Sequence, residues 1–369
     1  MEFVNETKVQ AGWTLGFDRD GRELLVIASK ATYVLASMGK EPELADEQAK
    51  LVLADEFAGE PGLSATLCET DYALRKLNCD VVLNGSAYAP AGRPTASVDV
   101  SLRVGSMQKS FFVFGDRYWQ DFILPPSGPE PFIQTQVSYD RAYGGADASR
   151  DDPKNVATYP ENPIGIGYHP LSRRSELVGK LLPNTSERRD PVTDVKGKFR
   201  PMSFGPVGRN FFPRYKHAGT YDQTWLDNEA PFWPIDFSYA YFQCAPEDQQ
   251  VPYLQGGEQV ELRNLTPDGY RSFCVPNGKI PVTCVPHRGE DIVTEAVCDT
   301  FLLEPDADRF CLTWRATIPL RRNLFELKRA VVGDMPHSWR SKRRAERTGK
   351  VYYASLAAAV AARGGRRRT

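Results

Sequence analysis

The sequence predicts a mainly β fold, with α+β as the alternative: β-sandwich-like lobes of antiparallel strands around a loop-rich middle, ending in a short helical tail. Composition is the first reason, since 19 Phe, 16 Tyr and 6 Trp favour pleated, half-buried surfaces, while 28 Pro and 29 Gly punctuate them with turns. The second is a period-two alternation, in which Val98, Val100, Leu102 and Val104 are interleaved with Asp99, Ser101 and Arg103. The third is the scarcity of apolar stretches with helical period. At 369 residues the chain exceeds one ordinary domain, so one large or two closely packed domains are expected. Texture divides it into an N-terminal β-rich lobe (1–123), a loop-rich middle (124–236), a C-terminal β-rich lobe (237–320) and a helical basic tail (321–369).

The elements follow in order. Asp18-Arg19-Asp20-Gly21 is a turn signal introducing a buried strand at Leu24-Leu25-Val26-Ile27-Ala28. Pro42 to Gly62, rich in Asp and Glu, is a surface excursion. Val81-Val82-Leu83 is a strand ended by Asn84-Gly85, and the alternating run at 98–104 turns at Gly105-Ser106 to return through Phe111–Phe114. From Leu124 to about Pro234 regularity is lost among Pro125-Pro126, Gly144-Gly145, Pro163, Gly165, Gly167, Pro170 and Pro206. So long an irregular stretch is expected to be ordered and functional, with Tyr139, Tyr143, Tyr168, Phe211, Phe212, Trp225, Phe232 and Trp233 as its anchors. Strands resume after Phe237. Val260 and Leu262 precede a Thr266–Gly269 turn, Asn277-Gly278 predicts a hairpin between Ser272–Val275 and Pro281–Val285, and Pro305–Asp308 predicts another between Val297–Leu303 and Phe310–Trp314. Asn323–Val332 and the Ala-rich Tyr352–Arg363 are expected to be helices, the second stopped by Gly364-Gly365.

Nothing at the N-terminus reads as a secretory signal, and no apolar run approaches the roughly 20 residues needed to span a bilayer. Seven cysteines without a Cys-x-x-Cys pair fit reduced thiols, so a cytoplasmic protein without membrane insertion is expected. Net charge is −1, yet Ser338–Thr369 carries ten Lys and Arg against Glu346 alone. An acidic body with a basic tail can steer a charged partner or merely solvate an end.

Cys274, Cys284 and His287 suggest zinc, but tetrahedral zinc needs about four ligands, and two cysteines buried in facing strands account for the pattern more simply. Asp140, Asp147, Asp151 and Asp152 lack the calcium-loop spacing and suit turn capping. The histidines His169, His217, His287 and His337 have no nucleophile at a recognisable spacing. A hydrolase acting on carbohydrate or lipid, with Asp147, Asp152 and His169 in its cleft, stands as the alternative reading. Gly165-Ile166-Gly167 is no phosphate loop. The basic Arg340-Ser341-Lys342-Arg343-Arg344 and Arg366-Arg367-Arg368 lack the aromatic interleaving of a nucleic-acid reader, so no nucleic acid is expected, and an acidic protein is the next candidate partner. No metal and no cofactor is expected.

Three blocks together are more specific. Asp80–Pro90 with Val113–Trp119, then Tyr139–Asp147 with Asn162–Gly167, then Ala218–Asp222 with Trp225, Pro234–Phe237 and Ala245–Gln250, resemble the ordered blocks of the bacterial family catalogued as domain of unknown function 2169. The similarity runs from about Gly16 to Arg315 and leaves the basic tail outside. The resemblance implies a non-catalytic adaptor, or effector chaperone, of type VI secretion. Such a protein would bind a cognate toxin effector in the cytoplasm and help mount it on the secretion spike and its tip protein. On that reading Arg141, Tyr143, Gly144, Gly145, Asp147, Asn162, Pro163, Gly165, Gly167 and Tyr168 are the candidate partner-binding residues. Arg and Tyr are enriched in interface hot spots, and Gly permits close backbone approach.

Overall fold

The computed structural model describes residues 1–37, 39–121, 123–149, 155–187 and 191–365. Strands dominate it, so the mainly β expectation is met. The chain forms two compact units, and each draws on separated stretches of sequence. The larger comprises Val9–Lys279 and Ala296–Leu324; the smaller comprises Met1–Lys8, Ile280–Glu295 and the residues from Phe325 on.

In the larger unit one sheet runs in the order Gln10–Phe17, Glu23–Val34, Arg309–Pro319, Ile292–Glu304, Cys79–Leu83, Gln250–Val251. Glu23–Val34 is buried continuously from Leu24 to Thr32, as a strand covered on both faces must be. The turn before it is the expected one, with Asp18 Oδ1 accepting from the Asp20 and Arg22 amides (3.0 and 2.8 Å) and Gly21 at φ 77°. Val81 pairs in parallel with Phe301, which brings the N-terminal and C-terminal lobes of the sequence into one sheet. The second sheet has the order Thr185–Ser186, Met107–Phe114, Ser97–Val104, Gln259–Arg263, Tyr270–Cys274. Its alternation appears as expected: Val98, Val100, Leu102 and Val104 point inward while Asp99 and Arg103 face water. Phe273 of this sheet stacks on Phe310 of the first at 5.1 Å, and Phe310 also meets Tyr33 and Phe301. The core lies there.

Two expectations fail. Tyr270–Cys274 pairs with Gln259–Arg263, not with the strand after Asn277-Gly278, which instead joins Leu327–Val332. Neither Asn277 nor Gly278 takes the positive φ that a two-residue hairpin requires. Asn323–Val332 is not a helix. A 3-10 turn at Leu324–Glu326 leads into the strand Leu327–Val332, because the β-branched Val331 and Val332 find ladder partners on both sides.

In the smaller unit Leu327–Val332 lies between Glu2–Asn5 (parallel, Phe3 opposite Ala330) and Ile280–Pro286 (antiparallel, Cys284 opposite Ala330). A helix at His337–Arg347, which the sequence did not announce, is anchored by Trp339 under the Arg329 guanidinium and by Arg343 bonded to Asp291. The last helix spans Leu356–Gly365, starting four residues later than expected and running through Gly364 rather than stopping at it.

The larger unit buries charge as well as apolar surface. Lys30 pairs with Asp71 at 2.7 Å, Lys76 with Asp80 at 2.7 Å, and Arg315 with Asp299. Arg315 also donates to the Asp71 carbonyl from Nε and NH2 (3.1 and 2.8 Å), and Thr313 Oγ1 donates to the Asp71 carboxylate. Asp80 further accepts from Gln243 Nε2 and the Cys244 amide. Burial by itself would lower the Lys76 ammonium, but the Asp80 carboxylate beside it outweighs that and raises it, so the ammonium stays charged. Removing one partner of such a pair strands the other in a dry interior. We expect Asp299→Ala to cost about 3–5 kcal/mol, and Asp299→Leu combined with Arg315→Met to recover most of it, as read by urea unfolding. Equal losses in the two variants would show that the Arg315–Asp299 charges do not act as a pair.

Candidate partner-binding surface

The ten residues singled out in the middle region form one loop cluster. Tyr143–Gly144 pairs in parallel with Ile166–Gly167, and Ala146–Asp147 pairs with Ala157–Thr158. Asn162, fully buried, donates from Nδ2 to the carbonyls of Tyr139 (2.9 Å) and Tyr143 (3.0 Å), while its own carbonyl accepts from the Gly145 amide at 2.8 Å. Backbones meet so closely here that side chains are excluded. A Cβ on Gly144 would strike the Asn162 carbonyl, and one on Gly145 the Gly165 carbonyl; both glycines also sit at positive φ (148° and 99°). Tyr143 is buried against Tyr159, Tyr168 and Phe199, with its hydroxyl donating to the Gly197 carbonyl at 2.6 Å. Arg141 is half-buried and bonded to Asp116, while Pro163, Gly165 and Tyr168 are half-buried around the rim.

Two clamps that sequence reasoning did not single out hold the cluster. Arg117 is buried and donates to the carbonyls of Val192 and Pro183, both at 3.0 Å. Asn184 joins the Phe114 carbonyl to the Asp116 carboxylate (3.0 and 2.8 Å). The signal for Arg117 was its place in the Val113–Trp119 block; Asn184 had none.

Of the candidate chemical groups, Asp147 and His169 lie near enough to interact electrostatically. Asp147 accepts hydrogen bonds from the hydroxyl and amide of Ser149, from the amides of Leu171 and Ser172 and from Ser172 Oγ. Burial alone would raise its carboxyl, but those bonds outweigh it and hold the pKa at about 2. Such a carboxylate is a structural cap and a poor base. Asp140 is a separate site: burial raises its carboxyl, and its hydrogen bond comes from the Ala65 amide. Asp151 and Asp152 lie outside the described residues, as do Arg366, Arg367 and Arg368. Burial and nearby Lys180 lower the half-buried His169, outweighing Asp147. Cys274 is exposed and Cys284 buried, each paired with a different strand, which corrects the expectation of two buried cysteines in facing strands. Among the described residues no group of three or more His, Cys, Asp or Glu gathers to hold a metal ion, and no helix is long and apolar enough to cross a membrane.

Beside this scaffold lies an exposed apolar surface. The segment from Phe212 to Ile235 leaves Phe212, Tyr215, Tyr221, Leu226, Phe232 and Ile235 in water, with Leu226 57% and Ile235 74% exposed. It is nevertheless firmly braced. Asp222 caps the helix Gln223–Asn228 by accepting from the Trp225 amide, and Trp225 Nε1 donates to the Phe232 carbonyl (both 2.9 Å). Asp236 accepts from the Thr220 amide and hydroxyl, and Glu229 from the Ile235 amide at 2.8 Å. Underneath, Trp233, Phe237, Tyr241 and Phe242 pack as a cluster, and buried Arg214 bonds Glu69 and the Tyr241 carbonyl.

The same surface reaches a sheet edge. Gln10–Phe17 is the last strand of its sheet and presents Trp13, Leu15 and Phe17 on one exposed face. The turn that follows touches the aromatic segment: Arg19 NH1 donates to the Ile235 carbonyl at 3.1 Å, and Gly21 lies directly against the Phe232 ring.

Fold and site define a mainly β protein with a braced loop cluster and, apart from it, an exposed aromatic segment beside a sheet-edge strand. The chain belongs to the family described as "Uncharacterized protein conserved in bacteria (DUF2169)", whose model matches residues 20–315. No curated protein and no solved structure matches it.

Two outcomes are expected. Gly145→Ala should cost about 3 kcal/mol or more in chemical unfolding, because it meets both a positive φ and a carbonyl that cannot retreat. For Asp147 the folded pKa lies below the unfolded value, so its contribution is complete above about pH 4 and is lost as pH falls toward 2. Unfolding free energy of wild type should therefore fall across that window by on the order of 1–2 kcal/mol more than that of Asp147→Asn. Parallel pH profiles would show that the capping bonds contribute nothing specific.

Proposed function

We propose that this chain is a non-catalytic adaptor, or chaperone, that binds a cognate type VI secretion toxin effector in the bacterial cytoplasm and promotes its loading onto the secretion spike. The observation that carries the reading is the braced, water-exposed apolar surface of Tyr221, Leu226, Phe232 and Ile235 continuing into the open edge strand Gln10–Phe17. Large exposed apolar patches mark interaction sites, and an open edge is a template for a further strand. A toxin awaiting assembly has strand edges and apolar surfaces that pair wrongly if left bare. A holder that is already rigid covers them without a large ordering cost. The block-by-block resemblance supplies the biological setting, and its third block contributes Tyr221, Trp225 and Ile235 to the surface.

In this reading Tyr143, Gly144, Gly145, Asp147, Asn162 and Gly167, being buried, act on the partner only through the loop shape they impose. Arg141, Pro163, Gly165 and Tyr168, being half-buried, retain some surface for direct contact.

Co-purification of the tagged chain with the products of neighbouring genes is the test. Wild type should retain an effector, and Leu226→Asp with Ile235→Asp should weaken retention by about a hundredfold or more at unchanged melting temperature. The reading fails if wild type retains no such partner, or if the double variant retains it equally well.

A further inference from the structure

The smaller unit holds a second site of different character. Between the helix His337–Arg347 and the strands Ile280–Pro286 and Leu327–Val332 is a cavity of about 190 Å³. Its apolar lining is Val285, Met335 and Trp339; its polar lining is entirely cationic, from Lys328, Arg329, Lys342 and Arg343. On the other flank of the helix a wider cleft of about 810 Å³ adds Arg340 and Arg344. Apart from Val285, the lining residues of the cavity lie beyond position 315, where the family match ends.

What the cations already hold shows which ligand fits. Arg329 donates to the Glu2 carboxylate from Nε at 2.8 Å, Arg343 to Asp291 at 2.9 Å, and Arg340 to Asp334 at 3.1 Å. Each of these three arginines thus holds a carboxylate. Lys328 and Lys342 are exposed, line the same cavity and have no carboxylate partner among the described residues. Two unpaired ammonium groups over an apolar floor suit an incoming carboxylate with a short carbon stem. Stacked bases are a poorer fit, because binding of single-stranded nucleic acid relies on open aromatic faces. The only aromatic ring of the cavity, Trp339, has the Arg329 guanidinium 4.3 Å from its centroid. We propose that this pocket binds an acidic segment of a protein partner, with Lys328 and Lys342 as its carboxylate clamp and Val285, Met335 and Trp339 receiving the methylene stem.

The charge balance supports that occupant, since Ser338–Thr369 carries ten basic residues against one acidic. Individual exposed ion pairs are weak, so affinity comes from several pairs acting together and falls with salt. The site does not depend on the aromatic surface of the larger unit, and its failure would leave that surface untouched.

The experiment is fluorescence anisotropy on the full chain with a short fluorescein-labelled Glu-rich peptide, its Gln counterpart, and a single-stranded oligonucleotide of the same charge. The Glu peptide should bind, weaken between about 50 and 200 mM salt, and weaken about tenfold in Lys328→Ala with Lys342→Ala. Both lysines are exposed, so the melting temperature should hold. The proposal is overturned if the Glu peptide does not bind, if the Gln peptide binds as well, or if the lysine variant binds unchanged. Tighter binding of the oligonucleotide would transfer the site to nucleic acid. A salt-sensitive dimer in light scattering, abolished by the same two substitutions, would transfer it to a second copy of the chain.

Discussion

Arg315 lies buried at the meeting point of the larger unit's distant segments, bonded to Asp299 on the neighbouring strand and to the carbonyl of Asp71. Asp71 in turn holds Lys30 on the next strand over and accepts from Thr313. These contacts tie residues near 30, 71, 299 and 315 into one dry array. Apolar contacts tolerate sliding; a buried guanidinium whose bonds are all directional does not. Displacing a strand by one residue would leave a charge buried without its partner, at several kcal/mol. The order and register of the strands Glu23–Val34, Arg309–Pro319 and Ile292–Glu304 therefore rest on this array.

A second layer of constraint works by exclusion. In the loop cluster at 139–168 the positions facing other backbones are glycines, and the amide of Asn162 replaces the ladder bonds that irregular chain cannot make. Arg117 does the same for the carbonyls of Val192 and Pro183. A region without long strands is thereby ordered by side-chain-to-backbone bonds, consistent with the cost of leaving buried polar groups unpaired.

The two surfaces proposed for binding differ in physics. The aromatic segment and open edge of the larger unit offer apolar area and backbone pairing, which are strong and indifferent to salt. The pocket of the smaller unit offers cations over an apolar floor, which favour fast encounter and fade with ionic strength. The aromatic segment of the first lies within the family match, whereas all of the second but Val285 lies beyond it. A partner that engaged both would gain effective concentration at the second site once held at the first.

The amino-acid sequence by itself determined the features set by neighbouring residues. The Asp18–Gly21 and Thr266–Gly269 turns, the alternating strand at 98–104 and the hairpin around Pro305–Asp308 all depend on local φ preference and side-chain period. The ordered blocks likewise placed the chain in its family. Tertiary structure alone decided the rest. Asn277-Gly278 has hairpin chemistry, yet the strands beside it found better ladders elsewhere, and Leu327–Val332 became a strand because two partners awaited it. The burial of Lys30, Lys76 and Arg315 was invisible because a charge reads as surface until the fold packs it away with its partner, whether that partner is as near as Asp80 is to Lys76 or as far as Asp71 is from Lys30. For the same reason, motif residues of one kind separated into two fates. Tyr143 and Asn162 turned inward to hold the chain, while Tyr221 and Ile235 stayed in water, since exposure is a property of what packs nearby and not of the residue itself.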